Sequence, residues 1–201
     1  MSTIDTMAAL RQRYRQPQGR SVAKQLQALD AHCLRFIALS PLVVVASGAH
    51  GAFDASPRGG APGFARATGP GTVLLPDSPG NNRLDTLSNI IASGSAGLLF
   101  LIPGVDETLR VNGSARLTDD PGLLRHFAGE PRQPTLLIEV TVREAYLHCA
   151  KALMRAKLWA PESRQPRNVL PTMGQMLNDQ TGILAAPETQ AQMVARYAPD
   201  L

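Results

Sequence analysis

Residues 71–119 read GTVLLPDSPGNNRLDTLSNIIASGSAGLLFLIPGVDETLRVNGSARLTD. Three apolar runs, over 71–77, 95–103 and 107–119, are separated by Pro- and Gly-rich turns and by one stretch with helical spacing, 81–93. Runs of this length, bounded by turn-formers, are strand signals. A parallel sheet needs a crossover helix after almost every strand, whereas tight turns join antiparallel neighbours. This region therefore predicts an antiparallel sheet, and it sets the class of the whole chain as mainly β with flanking helices (α+β).

Working outward, PLVVVASG (41–48) is rich in β-branched residues and stops at glycine. PTLLIEVTVREAYLHC (134–149) alternates Leu137, Glu139, Thr141 and Arg143 against Ile138, Val140 and Val142, which predicts a long strand with one wet face. Five or six strands then fill the middle of the chain, and closure into a barrel removes their edges. Helices are expected over 21–38, with Ser21 as its cap, and over 81–93, with Leu84, Leu87, Ile90 and Ile91 on one face. Further helices are expected at 120–129, capped by Asp120, at 150–159, and in the tail at 172–182 and 187–198. The expected organisation is an N-terminal helical segment (1–40), a barrel domain (41–160) and a tail (161–201) that packs on the barrel or on a partner subunit.

Composition narrows the function. A chain of 201 residues, 44% hydrophobic and 18% charged, is sized for one domain with a real core. No apolar run approaches the roughly 20 residues that span a bilayer, and the N-terminus carries no apolar signal core, so a cytoplasmic protein without membrane contact is expected. Only Lys24, Lys151 and Lys157 are lysines; the other basic residues are arginines, whose planar fork matches phosphate or carboxylate. A G+C-rich genome gives the same bias. Scattered basic residues and 4% aromatics argue against nucleic acid. His32-Cys33 and His148-Cys149 cannot easily turn both side chains of a pair to one metal, so no metal site is expected, and both cysteines are expected to be small buried thiols. His50 and His126 have no evident nucleophile to serve.

The turn and helix start at PDSPGNNRLDTLSN are more informative. Free N–H groups at the start of a helix and Arg83 beside them suit a phosphate, with Pro79-Gly80 letting the backbone approach closely. A solvated first-turn arginine is the alternative.

The strand LVVVASG, the hairpin FDASPRGGAPGFA, the strand TVLLPD leading to GNNRLDTLSNI, then AGLLFLIPG and ETLRVNGSARLT together resemble the pyridoxamine 5'-phosphate oxidase-like flavoproteins. The resemblance covers about residues 40–120 in order and spacing, and HCAKALMRAKLW extends it to one uncharacterised branch of that superfamily. It implies an FMN-binding, antiparallel split β-barrel and a homodimer with FMN at the subunit interface. The phosphate would fall to Asn81, Asn82 and Arg83; Asp54, Ala55, Ser56, Pro57 and Arg58 would run beside the flavin, and Pro76 and Asp77 would pass its edge. Arg110 and Asn112 would face cofactor or substrate, and Lys151, Arg155 and Trp159, at i, i+4 and i+8, would form one helical stripe over the flavin or an anionic substrate. A basic surface face is the other reading of that stripe. Pyridoxamine phosphate oxidases carry a C-terminal Trp and Arg that grip the vitamer, which the tail from Pro161 does not match, so vitamin B6 oxidation is not expected. The resemblance implies an FMN-dependent oxidoreductase of unknown substrate; a non-catalytic flavin-binding protein, a deazaflavin-dependent reductase and a haem-handling protein are the alternatives.

Overall fold

A computed structural model describes residues 3–78 and 80–200. Pro79, and with it half of the Pro79-Gly80 turn, lies outside the described residues. Short helices α1 (Met7–Arg11) and α2 (Arg20–Ala23) precede α3 (Ala31–Leu39), β1 (Leu42–Ala49), β2 (Ala52–Gly59), β3 (Arg66–Gly69), β4 (Thr72–Pro76), α4 (Asp85–Ser93), β5 (Ser95–Leu101) and β6 (Thr108–Thr118). Then follow α5 (Pro121–Leu124), β7 (Leu137–His148), α6 (Lys151–Ala156), α7 (Met173–Thr181) and α8 (Gln190–Tyr197).

The strands form one antiparallel sheet in the order β2-β1-β5-β6-β7-β4-β3. It coils around its core without closing, as a split barrel does. Seven strands rather than five or six result because the Gly- and Pro-rich stretch after Ala49 contributes β2 and β3, both on edges. Pro57 is tolerated in β2 because an edge strand has one side free of ladder bonds.

The core draws alternate residues from each strand: Val43, Val45, Val73, Leu75, Leu98, Phe100, Leu109, Val111, Val140 and Val142, covered by Phe36 and Ile37 of α3 and Leu87 and Ile90 of α4. Three expectations change here. The helix expected over 21–38 begins only after Asp30, whose carboxylate accepts the Cys33 N–H at 2.8 Å; residues between α2 and α3 extend along β7, because Leu26 pairs with Ala145. Asp30 supplies the caps that the first turn needs, and Ser21 does not. Leu137, expected on a wet face, is buried, since Leu74, Leu137 and Phe127 form a second small core under α5 and the turn 125–127. Leu84 and Ile91, expected with Leu87 and Ile90, are exposed: Leu84 precedes the helix and Ile91 is 75% exposed on its far side.

Cys33 is buried in the core, where desolvation pushes its thiol up to about 11, but Cys149 is exposed, contrary to the expectation of two buried thiols. It follows His148, at the end of β7, where the sheet no longer covers it.

The β6–β7 ladder slips by one residue. Asn112 faces Glu144 and Gly113 faces Val142, which leaves Arg143 as a bulge. Gly113 makes this possible: a Cβ there would lie 2.0 Å from the Thr141 carbonyl oxygen. Gly113→Ala is expected to cost on the order of 2–3 kcal/mol in urea unfolding because backbone must move to admit the methyl. Gly71→Ala, where a Cβ meets nothing within 4 Å, is expected to change stability by less than about 0.5 kcal/mol. Equal losses at both positions would remove the bulge as the reason for the glycine.

Candidate functional site

Alternation along β1 and β2 sends their side chains to two sides of the sheet. Asp54, Ser56 and Arg58 pair with Ser47, Val45 and Val43, and share the side that α4 covers; Ala55 and Pro57 pair with Ala46 and Val44 on the outer side. Along β6 the outer side carries Arg110 and Asn112, opposite Leu99 and Gly97 of β5. The expected contacts therefore divide between the two sides.

On the α4 side, Asp54 accepts hydrogen bonds from Ser56 Oγ, at 2.9 and 3.0 Å, and from Thr86 Oγ1. Asn89 donates to Ser47 Oγ at 3.2 Å, so two polar ties lock the β1–β2 hairpin to α4. The chain approaches α4 through left-handed residues at Asn82 (φ 56°) and Leu84 (φ 60°). Asparagine adopts that region readily, and leucine does so at a cost of about 1–2 kcal/mol. Arg83, expected inside the first turn, lies just before it and is exposed. Its N–H donates to Asn81 Oδ1 at 3.1 Å, and its Nε pairs with Asp85 at 2.8 Å. The anion that offsets a cation at this helix start is therefore supplied at least in part by the chain itself. No side chain caps the first turn of α4 among the described residues, because Leu84 occupies the capping position. Asp77 follows Pro76 at the end of β4, where burial pushes its carboxyl above the usual range and the Arg58 charge pulls it partly back. Arg58 thus acts electrostatically on Asp77, and Asp54 on Arg83.

On the outer side lies an open cleft of about 810 Å³. Its floor is made of small residues, Ala46, Gly48 and Gly97, bordered by Phe53, which is 88% exposed. A Cβ at Gly97 would stand 2.8 Å from Asn112 Oδ1, and one at Gly48 would stand 2.8 Å from the Phe53 ring. Asn112 donates to Glu144 at 2.5 Å, and Gln25 donates to the other oxygen of the same carboxylate. Residues 22–27 form the opposite wall, held by reciprocal Leu26–Ala145 backbone bonds of 2.9 and 2.8 Å. Of the expected site residues, only Asn112 lines this cleft.

The helical stripe of Lys151, Arg155 and Trp159 does not form as expected. Lys157 takes a left-handed conformation (φ 48°) and ends α6 at Ala156, so Trp159 leaves the face shared by Lys151 and Arg155. Its indole N–H instead donates to the Val105 carbonyl at 2.9 Å and anchors the segment to the β5–β6 loop.

Sequence reasoning missed Gln25, Phe53, Gly97, Arg143 and Glu144 as cleft residues. One signal for the last two was present: the adjacent charges Arg143-Glu144 interrupt the alternation of β7, as a bulge does. Gln25 and Gly97 gave none, since their role arises from pairing with distant chain.

The family described as pyridoxamine 5'-phosphate oxidase matches residues 29–149. No curated protein matches at a significant level. Among solved structures, HupZ of Group A Streptococcus is 16% identical with a TM-score of 0.49, over 59% of this chain and 93% of that one. A FAD binding protein of Mycobacterium smegmatis is 15% identical with a TM-score of 0.44, over 61% of this chain and 97% of that one. General Stress Protein 26 of Bacillus anthracis is 13% identical with a TM-score of 0.43, over 58% and 93%.

The Asp77 shift has a sign that can be tested. A carboxyl raised in the folded state above its ordinary 3.8 favours the fold while protonated, and that contribution is lost as pH rises through the folded-state value. Asp77→Asn should match the wild type near pH 3.5 and become progressively more stable than it as pH rises above about 4. Thermal unfolding of both proteins across pH 3.5–7 checks this; a difference that shrinks with rising pH would mean that the Arg58 attraction outweighs burial.

Proposed function

Because the chain belongs to the pyridoxamine 5'-phosphate oxidase family, we propose that it binds FMN and works as a homodimeric oxidoreductase with the cofactor between the two copies. The supporting observation is the division of the site. The basic and amide groups suited to a phosphate stand on the α4 side of the sheet, whereas the small-residue floor and Asn112 stand on the outer side. A second copy laid against the first would let groups from the two sides meet on one small molecule.

The residues fit such a group. Arg58, Asn81, Asn82 and Arg83, with the uncapped first turn of α4, would hold the phosphate. The Arg83–Asp85 pair does not prevent this, since an exposed ion pair contributes little and can be exchanged for a better anion. A flat floor without side chains beyond Cβ would accept a planar ring, and Asn112, oriented by Glu144, would hydrogen-bond its edge. Pro76 and Asp77 would lie along the ring's edge, with Asp54, Ala55, Ser56 and Pro57 holding the hairpin beside it. Lys151 and Arg155 of α6 would add positive charge at the margin, with Trp159 fixing the segment in place. When bound, the isoalloxazine supplies the electron transfer, and the chain supplies binding, orientation and exclusion of water. No helix among the described residues is long and apolar enough to cross a membrane.

Protein expressed with riboflavin available should carry a yellow chromophore that heat releases and chromatography identifies as FMN. FAD, haem or no chromophore contradicts the proposal. Light scattering should give about twice the 21.5 kDa chain mass, and a monomer at micromolar concentration removes the shared site. Arg83→Ala should weaken FMN binding at least tenfold and leave riboflavin binding unchanged, because a guanidinium–phosphate contact contributes about 1.5–3 kcal/mol and riboflavin has no phosphate. Equal losses for both ligands would place Arg83 in the fold and not at the phosphate.

A further inference from the structure

Just beyond the Asn112–Glu144 margin of the cleft, two cations stand against one aromatic ring. Tyr146 faces Arg110 in the β6–β7 register, one pair further along the outer side than Glu144 and Asn112. The Arg110 guanidinium carbon lies 5.3 Å from the Tyr146 ring centroid, and Lys24 Nζ lies 5.4 Å from the same centroid. Lys24 is brought there by the strap of residues 22–27, and its ammonium donates to the Leu147 carbonyl at 2.9 Å. The bulge adds a third cation, Arg143, to the cleft lining.

Glu144 is the only carboxylate among the described cleft residues, and its oxygens accept from the neutral amides of Asn112 and Gln25. None of Lys24, Arg110 and Arg143 forms an ion pair among the described residues. Attraction to one ring holds two cations near each other weakly, while their mutual repulsion opposes it. An anion beside the ring turns that repulsion into attraction for both, and an arginine fork recognises an oxyanion through two parallel bonds.

We propose that this flank of the cleft is an oxyanion subsite, built by Lys24 and Arg110 around Tyr146, with Arg143 of the cleft lining adding charge, and that it takes the carboxylate or phosphate of the molecule that meets the flavin. The assignment rests on the flavin reading only in making that molecule the flavin's reaction partner. Lys24 lies outside the residues that match the family and reaches the site on the strap.

The test is calorimetric titration of the purified full-length protein at low ionic strength, where exposed charges are least screened, with benzoate, phenyl phosphate and benzyl alcohol as probes. At least one of the two anions should bind saturably and the alcohol should not; which anion is stronger tells carboxylate from phosphate recognition. Lys24→Gln and Arg110→Gln should each weaken anion binding about tenfold, and Lys24→Arg, which keeps the charge, should stay within about twofold. Flavin absorbance of the same preparations should be unchanged in Lys24→Gln. Anion binding by protein that holds no flavin would keep the subsite and remove only the flavin reading. Alcohol binding as tight as either anion, wild-type affinity in both glutamine variants, or loss of flavin together with anion binding in Lys24→Gln would overturn the proposal.

Discussion

The long strand β7 has to satisfy two different neighbours along one edge. On one side it pairs with β6 for its whole length; on the other, β4 reaches only from Leu137 to Thr141, and Gly71 receives the N–H of Val142. The strand continues to His148. Buried backbone groups left without partners cost about as much as a lost hydrogen bond each, so the open edge needs cover. Leu26 provides it, exchanging both backbone bonds with Ala145, and so brings the N-terminal strap against the sheet. The cleft wall, the position of Gln25 and the approach of Lys24 to Tyr146 all follow from that one pairing.

The bulge at Arg143 works with it. A one-residue slip reverses the side to which every later residue of a strand points. Without the extra residue, Glu144 would turn toward the core and Ala145 outward. With it, Ala145 stays buried and Glu144 meets Asn112 on the outer side. The same slip places Tyr146 beside Arg110. Gly113 is the position at which the chain gives up a side chain to permit this, because the Thr141 carbonyl occupies the space of a Cβ.

The α4 side is organised by polar ties and not by apolar packing alone. Asp54, Ser56 and Thr86 join the edge hairpin to the start of the helix, and Asn89 joins Ser47 one turn later. An edge hairpin fixed in this way presents its other surface, with Phe53, Ala55 and Pro57, as a firm outer wall. The tail is different in character: α7 and α8 bury no residue completely, and Leu170, Leu177, Ile183, Leu184 and Val194 remain exposed.

The sequence by itself determined the antiparallel class, the positions of β1, β4, β5, β6 and β7, the Asp120 cap and both tail helices, because alternation, turn residues and capping act over a few neighbours. It also placed Arg110 and Asn112 on one side of their strand, since period two is a local rule. It did not reveal that α3 starts at Asp30, because the apolar spacing from Val22 to Leu29 serves equally for a helix and for an extended strap, and the choice depends on the unpaired edge of β7 more than a hundred residues away. Trp159 left its stripe for a similar reason: helical spacing holds only while the helix continues, and a left-handed Lys157 together with the Val105 carbonyl ended it. The division of the candidate site between two sides of one sheet was equally invisible along the chain. Local rules fix which residues share a face of their own strand, but only strand order and register decide which strands' faces become one surface.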